Sequence, residues 1–227
     1  MPHETFATFQ VTDKTTIFVV QGTILEFEPS DPAKAAIINN SNPTCIADFI
    51  LGTNILEQQV QQAGGERLLA ARLELPTEGE NTRCQVGDAK ISGPNKFGRL
   101  PTHYVIDAVG PNYIEYDFDE YEDVDELLMS AYGSALERAK EKGLTEVATS
   151  LISTDTRGKR GLKQVLALSF SALGYWVSVN LSDNFIMCDL LLHPPTLLIL
   201  FSVDPVPGEP RHGHYQGSYL CANRQGS

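Results

Sequence analysis

The chain has no CxxC pair. Its four cysteines, Cys45, Cys84, Cys188 and Cys221, are widely and irregularly spaced, which gives no disulfide framework and points to free thiols in a reducing compartment, cytoplasmic or nuclear. Positive charge is scarce. Seventeen Lys and Arg stand against 29 Asp and Glu, a net charge of -12, and duplex nucleic-acid binding needs the opposite balance. A small anionic ligand stays open, because helix N-termini and backbone N–H groups hold phosphate without net positive charge. No run of 18 apolar residues occurs. The richest stretch, Phe185 to Val203, is broken by Asp189, His193 and Pro194-Pro195, so no membrane span is expected. The opening MPHETFATFQ lacks the basic start and apolar core of a signal peptide. Gly158-Lys159 lacks the GxxxxGK[ST] spacing of a P-loop. A GxSxG elbow is missing, which leaves serine-nucleophile hydrolysis without support. There is no internal repeat.

What is present suits one sizeable domain: 227 residues, 42% of them hydrophobic. Thr15 to Val20 reads as a strand stopped by Gly22. Ala35 to Ile38 is a short apolar run. Leu56, Val60, Ala63 and Leu69-Ala70 trace a helical stripe ending near Leu73, before Pro76. Asp88 to Ser92 and Tyr104 to Val109 read as strands, each closed by a Gly-Pro pair. An acidic segment from Glu115 to Glu126 precedes the best helix, whose apolar face is Val124, Leu127, Leu128, Ala131, Ala135, Leu136 and Ala139. Acids at its start and Lys140 and Lys142 at its end complement the helix dipole, and Gly143 stops it. Glu146 to Ile152 is the next strand, and Leu162 to Leu173 the next helix. Alternating strands and helices predict an α/β fold with a largely parallel sheet. Thr196 to Val203 supplies a last strand. Residues 204–227, rich in Pro, Gly, His and Arg, read as a disordered tail.

Three loops carry polar chemistry. Ile37-Ile38-Asn39-Asn40-Ser41-Asn42 places carboxamides, each with two donors and an acceptor, after a buried strand, where hydroxyl-rich ligands such as ribose are well served. Asn and Ser are also ordinary turn formers. Ser153-Thr154-Asp155-Thr156-Arg157-Gly158 joins a strand to a helix and offers backbone N–H groups suited to a diphosphate. Gly22-Thr23-Ile24 follows a third strand. In an open α/β sheet such loops share the carboxyl edge, where ligands bind. Lys159, Arg160 and Lys163 follow the second loop, either adding positive potential or forming a solvated helix start. His103 has no zinc-like spacing around it, and His212, His214 and Cys221 give no metal pattern. Tyr175 and Trp176 read as core cover.

These motifs, in this order, resemble the macrodomain family over about Thr16 to Leu173. Val19-Val20-Gln21-Gly22-Thr23-Ile24 is similar to its VxxGDI strand motif, and Ile37 to Asn42 to its IVNAAN. Gln62-Ala63-Gly64 resembles AAG. Arg83 to Ala89 resembles RCPTGEA, and Tyr104 to Pro111 resembles YVIHTVGP. Ser153 to Gly158 stands in the place of STGIYG or SAGIFRG. The resemblance implies a three-layer α/β/α fold with a mixed, largely parallel central sheet, spanning residues 10–203. It also implies a cleft for ADP-ribose or an ADP-ribosylated protein, with no cofactor and no metal. The binding set would be Gly22, Thr23, Ile24, Asn39, Asn42, Gly52, Ser153, Thr154, Asp155, Thr156, Arg157 and Gly158. By the same analogy Asn42 would hold the distal ribose or orient an attacking water, since some members hydrolyse ADP-ribosyl or O-acetyl-ADP-ribose linkages.

Three departures bear on function. Thr23 replaces the Asp that contacts adenine, losing a charge-assisted contact. The Gly-rich loop GGGGVDGAI is replaced by Asp48 to Val60, of which Gly52 remains and Asp48 is a carboxylate candidate by chemistry alone. Asp155 replaces a diphosphate-loop glycine; a carboxylate at ~5 Å from one phosphate charge costs on the order of 3 kcal/mol at an effective dielectric near 20. Arg157 offsets this if it pairs with either anion. Besides binding and hydrolysis, the substitutions admit a third reading, a degenerate domain serving as an interaction scaffold with Phe49 or Ile50 filling the cleft.

Overall fold

The computed structural model describes residues 4–10, 15–47, 54–180, 189–191 and 198–203. They form an eight-stranded sheet with helices on both faces. The elements are β1 (Glu4–Gln10), β2 (Thr15–Gln21), β3 (Ala35–Asn40), α1 (Ile55–Leu73), β4 (Ala89–Ser92), β5 (Tyr104–Ala108), α2 (Tyr121–Glu141), β6 (Glu146–Ser150), α3 (Leu162–Asn180), β7 (Asp189–Leu191) and β8 (Leu198–Val203). The order across the sheet is β1-β2-β7-β6-β3-β5-β4, with β8 pairing both β2 and β6. β3 runs parallel to β5 and β6, whereas β1, β4 and β8 are antiparallel to their neighbours. The sheet is therefore mixed with a parallel centre, as expected.

The apolar runs dictate this. A central parallel strand is covered on both faces and reads as continuous hydrophobic sequence. Ala35 to Ile38 and Tyr104 to Ile106 are buried accordingly. Successive side chains point to opposite faces. Ile38, Ile106 and Val147 join Leu128, Leu136 and Val165 of α2 and α3 in one core. Ile37, Val105 and Ala148, one residue away in each strand, join Val60 and Leu68 of α1 in the other. Three layers follow from that parity. Each fully buried leucine here is worth about 2–5 kcal/mol against alanine.

α2 presents Ala131, Ala135 and Ala139 on its buried face, so its backbone lies close to the sheet. It ends at Lys142, and Gly143 follows with φ of 62°. α3 runs to Asn180, beyond the expected Leu173, and so adds Trp176 and Val177 to the core, while Tyr175 is exposed. α3 is long and apolar enough to cross a membrane, but its Val165, Ala172, Leu173 and Trp176 side pack into the core. β1 pairs along β2, so the sheet begins at Glu4, ahead of the boundary expected at residue 10. The expected tail of residues 204–227, with His212, His214 and Cys221, lies outside the described residues.

The parallel register fixes where function can sit. Asn40 is opposite Ala108, and Ile38 is opposite Thr149. The loops after β3, β5 and β6 therefore open side by side on one edge.

Candidate active site and ligand edge

Ser41 to Ala47 leaves β3 as a tight turn built on Asn42. Its Oδ1 accepts from Thr44 N (2.8 Å) and Thr44 Oγ1 (2.6 Å). Its Nδ2 donates to Ile46 O (2.8 Å) and Glu57 Oε2 (3.1 Å). All four hydrogen-bonding positions of that carboxamide are thus used. Glu57, in the first turn of α1, also accepts from Ser41 Oγ at 2.5 Å and from Asn42 N at 3.4 Å. Burial pushes its carboxyl up to about 7, against the pull of the Ser41 hydroxyl. The result is a carboxylate that titrates near neutrality directly behind the Asn42 turn.

A buried polar network underlies this turn. Arg72 of α1 donates through Nε to Asp107 Oδ2 (2.8 Å), through Nη2 to Asp107 Oδ1, and through Nη1 to Gln61 Oε1 (2.7 Å). Both charged side chains are fully buried. Asn39 donates to Asp107 Oδ1 at 2.9 Å, and its own Oδ1 has no partner among the described residues. Cys45 and Cys84 are buried free thiols beside Val109. Their mutual hydrogen bond, followed by burial, pushes the Cys45 thiol far up.

The loop after β6 is held where it starts. Ile152 N donates to Tyr132 Oη (2.8 Å), and Ser153 N to Asn40 Oδ1 (3.4 Å). Ser153 has φ of 61°, and its buried Oγ has no hydrogen-bond partner among the described residues. A β-carbon on Gly110, the glycine of the β5 loop, would lie 2.2 Å from that oxygen. Beyond Ser153 the chain turns repeatedly. Among the described residues no hydrogen bond uses the backbone N–H of Asp155, Thr156 or Gly158. Thr156 Oγ1 donates to Pro111 O (3.4 Å), tying this loop to the one after β5. Asp155 is exposed, so its carboxylate can face water. α3 begins immediately afterwards, with Gln164 Oε1 accepting from Gly161 N at 2.9 Å. Free amides next to a helix start make an anion-binding concavity.

The Macro domain family model matches residues 48–162, about half of the chain. The chain belongs to the macro domain family. O-acetyl-ADP-ribose deacetylase 1 of Pantoea vagans (strain C9-1) is 34% identical over 143 residues, covering 63% of this chain and 72% of that protein. The Oceanobacillus iheyensis macrodomain with ADP superposes with a TM-score of 0.64 at 21% identity, covering 84% of this chain and 88% of that one. The Trypanosoma brucei macrodomain in complex with ADP-ribose superposes with a TM-score of 0.52 at 22% identity, covering 74% and 69%. At those identities the two structures establish the macro domain fold.

Within this macro domain, the residues picked from sequence fall into three groups. Ser153 to Gly158 and Asn42 lie on the shared edge. Gly22, Thr23 and Ile24 leave β2 in the same direction. There Thr23 caps a short helical turn with Glu26, and the Ile24 side chain is buried in the α1-side core. The Thr23 backbone is itself engaged in that turn: its N–H donates to Glu26 Oε2 (3.4 Å) and its carbonyl accepts from Glu26 N (2.8 Å). Asn39 sits under the site, fully buried on Asp107, and reaches a ligand only through its neighbours. Gly52 and Asp48 lie outside the described residues. Arg157 folds back to donate to Thr154 O at 2.6 Å. Arg160 is bound to Asp125 and does not point as a free cation. Two residues escaped the sequence reading. Asn40 bridges β3 to the β6 loop. Glu57 sits at a helical position where an acid is ordinary; the signal was its place in the first turn, one helix after the asparagines. Among the described residues, no group of three or more His, Cys, Asp or Glu is placed to hold a metal.

Proposed function

We propose that this macro domain binds ADP-ribose, free or attached to a protein, along the edge formed by the loops after β2, β3, β5 and β6. The observation that carries this is the Ser153–Gly158 loop. Among the described residues, three of its backbone amides have no acceptor and its buried Ser153 hydroxyl has no partner, all within one loop ahead of α3. The diphosphate would receive the Asp155, Thr156 and Gly158 amides, and the Ser153 hydroxyl would donate to an oxygen of the ligand. Charge-assisted bonds of this kind are the strong ones. The relatives named above, one solved with ADP and one with ADP-ribose, support the same ligand. Isothermal titration of the 227-residue chain with ADP-ribose tests it. Saturable heat with micromolar affinity is expected, and no heat at millimolar ligand rejects it.

A second reading is hydrolysis, of protein-linked ADP-ribose or of O-acetyl-ADP-ribose. It is favoured by Glu57, a carboxyl titrating at about 7 and bonded to Asn42. A general base works best near the operating pH. In the deacetylation, Glu57 would take a proton from water as its oxygen adds to the acetyl carbon. Collapse of the adduct would break the bond between the acetyl carbon and the ribose oxygen, and that oxygen would take the proton held by Glu57, releasing acetic acid and ADP-ribose. Asn42, with its carboxamide engaged, is a positioning residue in this scheme. Glu57→Gln should abolish turnover while ADP-ribose still binds. A wild-type chain inert on both substrates ends the hydrolytic reading.

For cellular context we propose a reducing compartment, cytoplasmic or nuclear, with no duplex nucleic acid or membrane as partner. The buried Cys45 and Cys84 thiols and the net charge of -12 support this. Microscopy of the tagged chain tests the location.

A further inference from the structure

The free amides of Asp155, Thr156 and Gly158 can converge on one anion only if both ends of their loop are held. The entry is held by backbone donation to Tyr132 and Asn40. Among the described residues the exit has no strand partner. It rests instead on side chains from the segment before α2 and from the first turns of α2. Lys159 N donates to Tyr121 Oη at 3.3 Å, and Tyr121 Oη donates to Tyr113 O at 3.3 Å. Arg160 grips Asp125 with Nε on Oδ1 (3.2 Å) and Nη2 on Oδ2, and Tyr113 Oη donates to the same Oδ1 at 2.8 Å. The guanidinium lies 5.5 Å from the centre of the Tyr121 ring, and the Tyr113 and Tyr121 rings meet edge to face at 5.3 Å. Gly158 is pressed against this group: a β-carbon there would lie 3.0 Å from Tyr113 O and 3.1 Å from Tyr121 Oη.

We propose that Asp125 and Arg160, assisted by Tyr121, are positioning residues that set the curvature of the Ser153–Gly158 loop and so its affinity for a diphosphate. This rests on the ADP-ribose reading above. The pair is suited to the task. Its side chains are only 16% and 13% exposed, so salt screens it weakly. Arginine's planar fork fixes direction as well as distance on a carboxylate. Arg160 commits Nε and Nη2 to Asp125, which fixes its guanidinium against α2 in the role of shaping the loop. The alternative, Arg160 swinging to the ligand, makes the opposite prediction: freeing it from Asp125 would tighten binding.

The test is ADP-ribose titration of the wild-type chain beside Asp125→Asn, Asp125→Glu and Tyr121→Phe. Amide spectra of each ligand-free protein accompany it. Asp125→Asn should weaken binding about tenfold, one hydrogen-bonded charge pair's worth of positioning. Asp125→Glu should recover most of that affinity. In Asp125→Asn the Asp155, Thr156 and Gly158 amide signals should move while those of the Asn42 turn stay. Tyr121→Phe keeps the ring and the fold, loses one hydroxyl, and should weaken binding severalfold, so the proposal survives testing even if Asp125→Asn does not fold. Wild-type binding with unchanged or tighter binding in the variants overturns the positioning role alone. A wild-type chain that takes up no ADP-ribose overturns the binding reading, and this proposal with it.

Discussion

The Ser153 hydroxyl oxygen packs directly against the α-carbon of Gly110, so close that a β-carbon there would come within 2.2 Å of it and within 2.3 Å of Ile152 Cγ2. The loop after β5 and the loop after β6 are therefore fitted to each other at a position that tolerates no side chain. Gly110→Ala should push the start of the β6 loop outward. The expected cost is about 1–3 kcal/mol of stability, as for other overpacked sites, with a parallel loss of ADP-ribose affinity. Urea denaturation and calorimetry measure the two. An alanine variant with unchanged stability would mean the two loops are not in contact.

Ser153→Ala should separate stability from binding. The Oγ is buried without a partner among the described residues, and relieving such a group leaves stability level or raises it by about 1–3 kcal/mol. Binding should weaken severalfold on the proposal that this hydroxyl donates to the ligand. A variant that loses stability and binds as before would show that Ser153 serves the fold alone.

The Arg72–Asp107 pair gives a stability prediction away from the edge. Both side chains are fully buried. Removing one partner of such a pair strands the other charge, which costs about 3–5 kcal/mol. Arg72→Met should therefore lower the urea midpoint strongly, and Arg72→Met with Asp107→Leu should recover part of the loss. A single variant as stable as wild type would contradict the buried pairing.

Glu57 makes stability depend on pH. Its folded-state carboxyl is raised to about 7 from an ordinary 4.5, mainly by burial. A raised value means the folded state holds the proton more tightly. The contribution is full below pH 4.5 and is lost as pH climbs through about 7, by roughly 3 kcal/mol in total. Glu57→Gln should remove this slope from a plot of unfolding free energy against pH. An identical slope in the variant would place the titration elsewhere.

Much of the fold was legible because its central strands are covered on both faces. Ala35 to Ile38 is a continuous apolar run, and Tyr104 to Val109 and Glu146 to Ile152 are mostly apolar or small, with polar residues at Asp107, Glu146, Thr149 and Ser150. β1 was not legible. It is an edge strand with Phe9 half exposed, and ETFATFQ carries no strong pattern. α3 was read short because Gly174 interrupts its stripe, although Trp176 continues the buried face. For the candidate site, the loops and their shared edge followed from strand order. The engagement of Asn42 did not, since it depends on a carboxylate fifteen residues away. Glu57 carries no sequence signal beyond its place near a helix start, and only tertiary packing shows it buried. Arg160, read as either added positive potential or part of a solvated helix start, is instead held by Asp125, a pairing that tertiary packing alone makes visible.

The central claim is that the Ser153–Gly158 loop receives a diphosphate. Amide chemical shifts of the labelled chain during an ADP-ribose titration test it most directly. The Asp155, Thr156 and Gly158 signals should move furthest and saturate together, with the Asn42 turn responding at the same ligand concentration. Saturable binding that moves other amides and leaves those three in place would contradict the account.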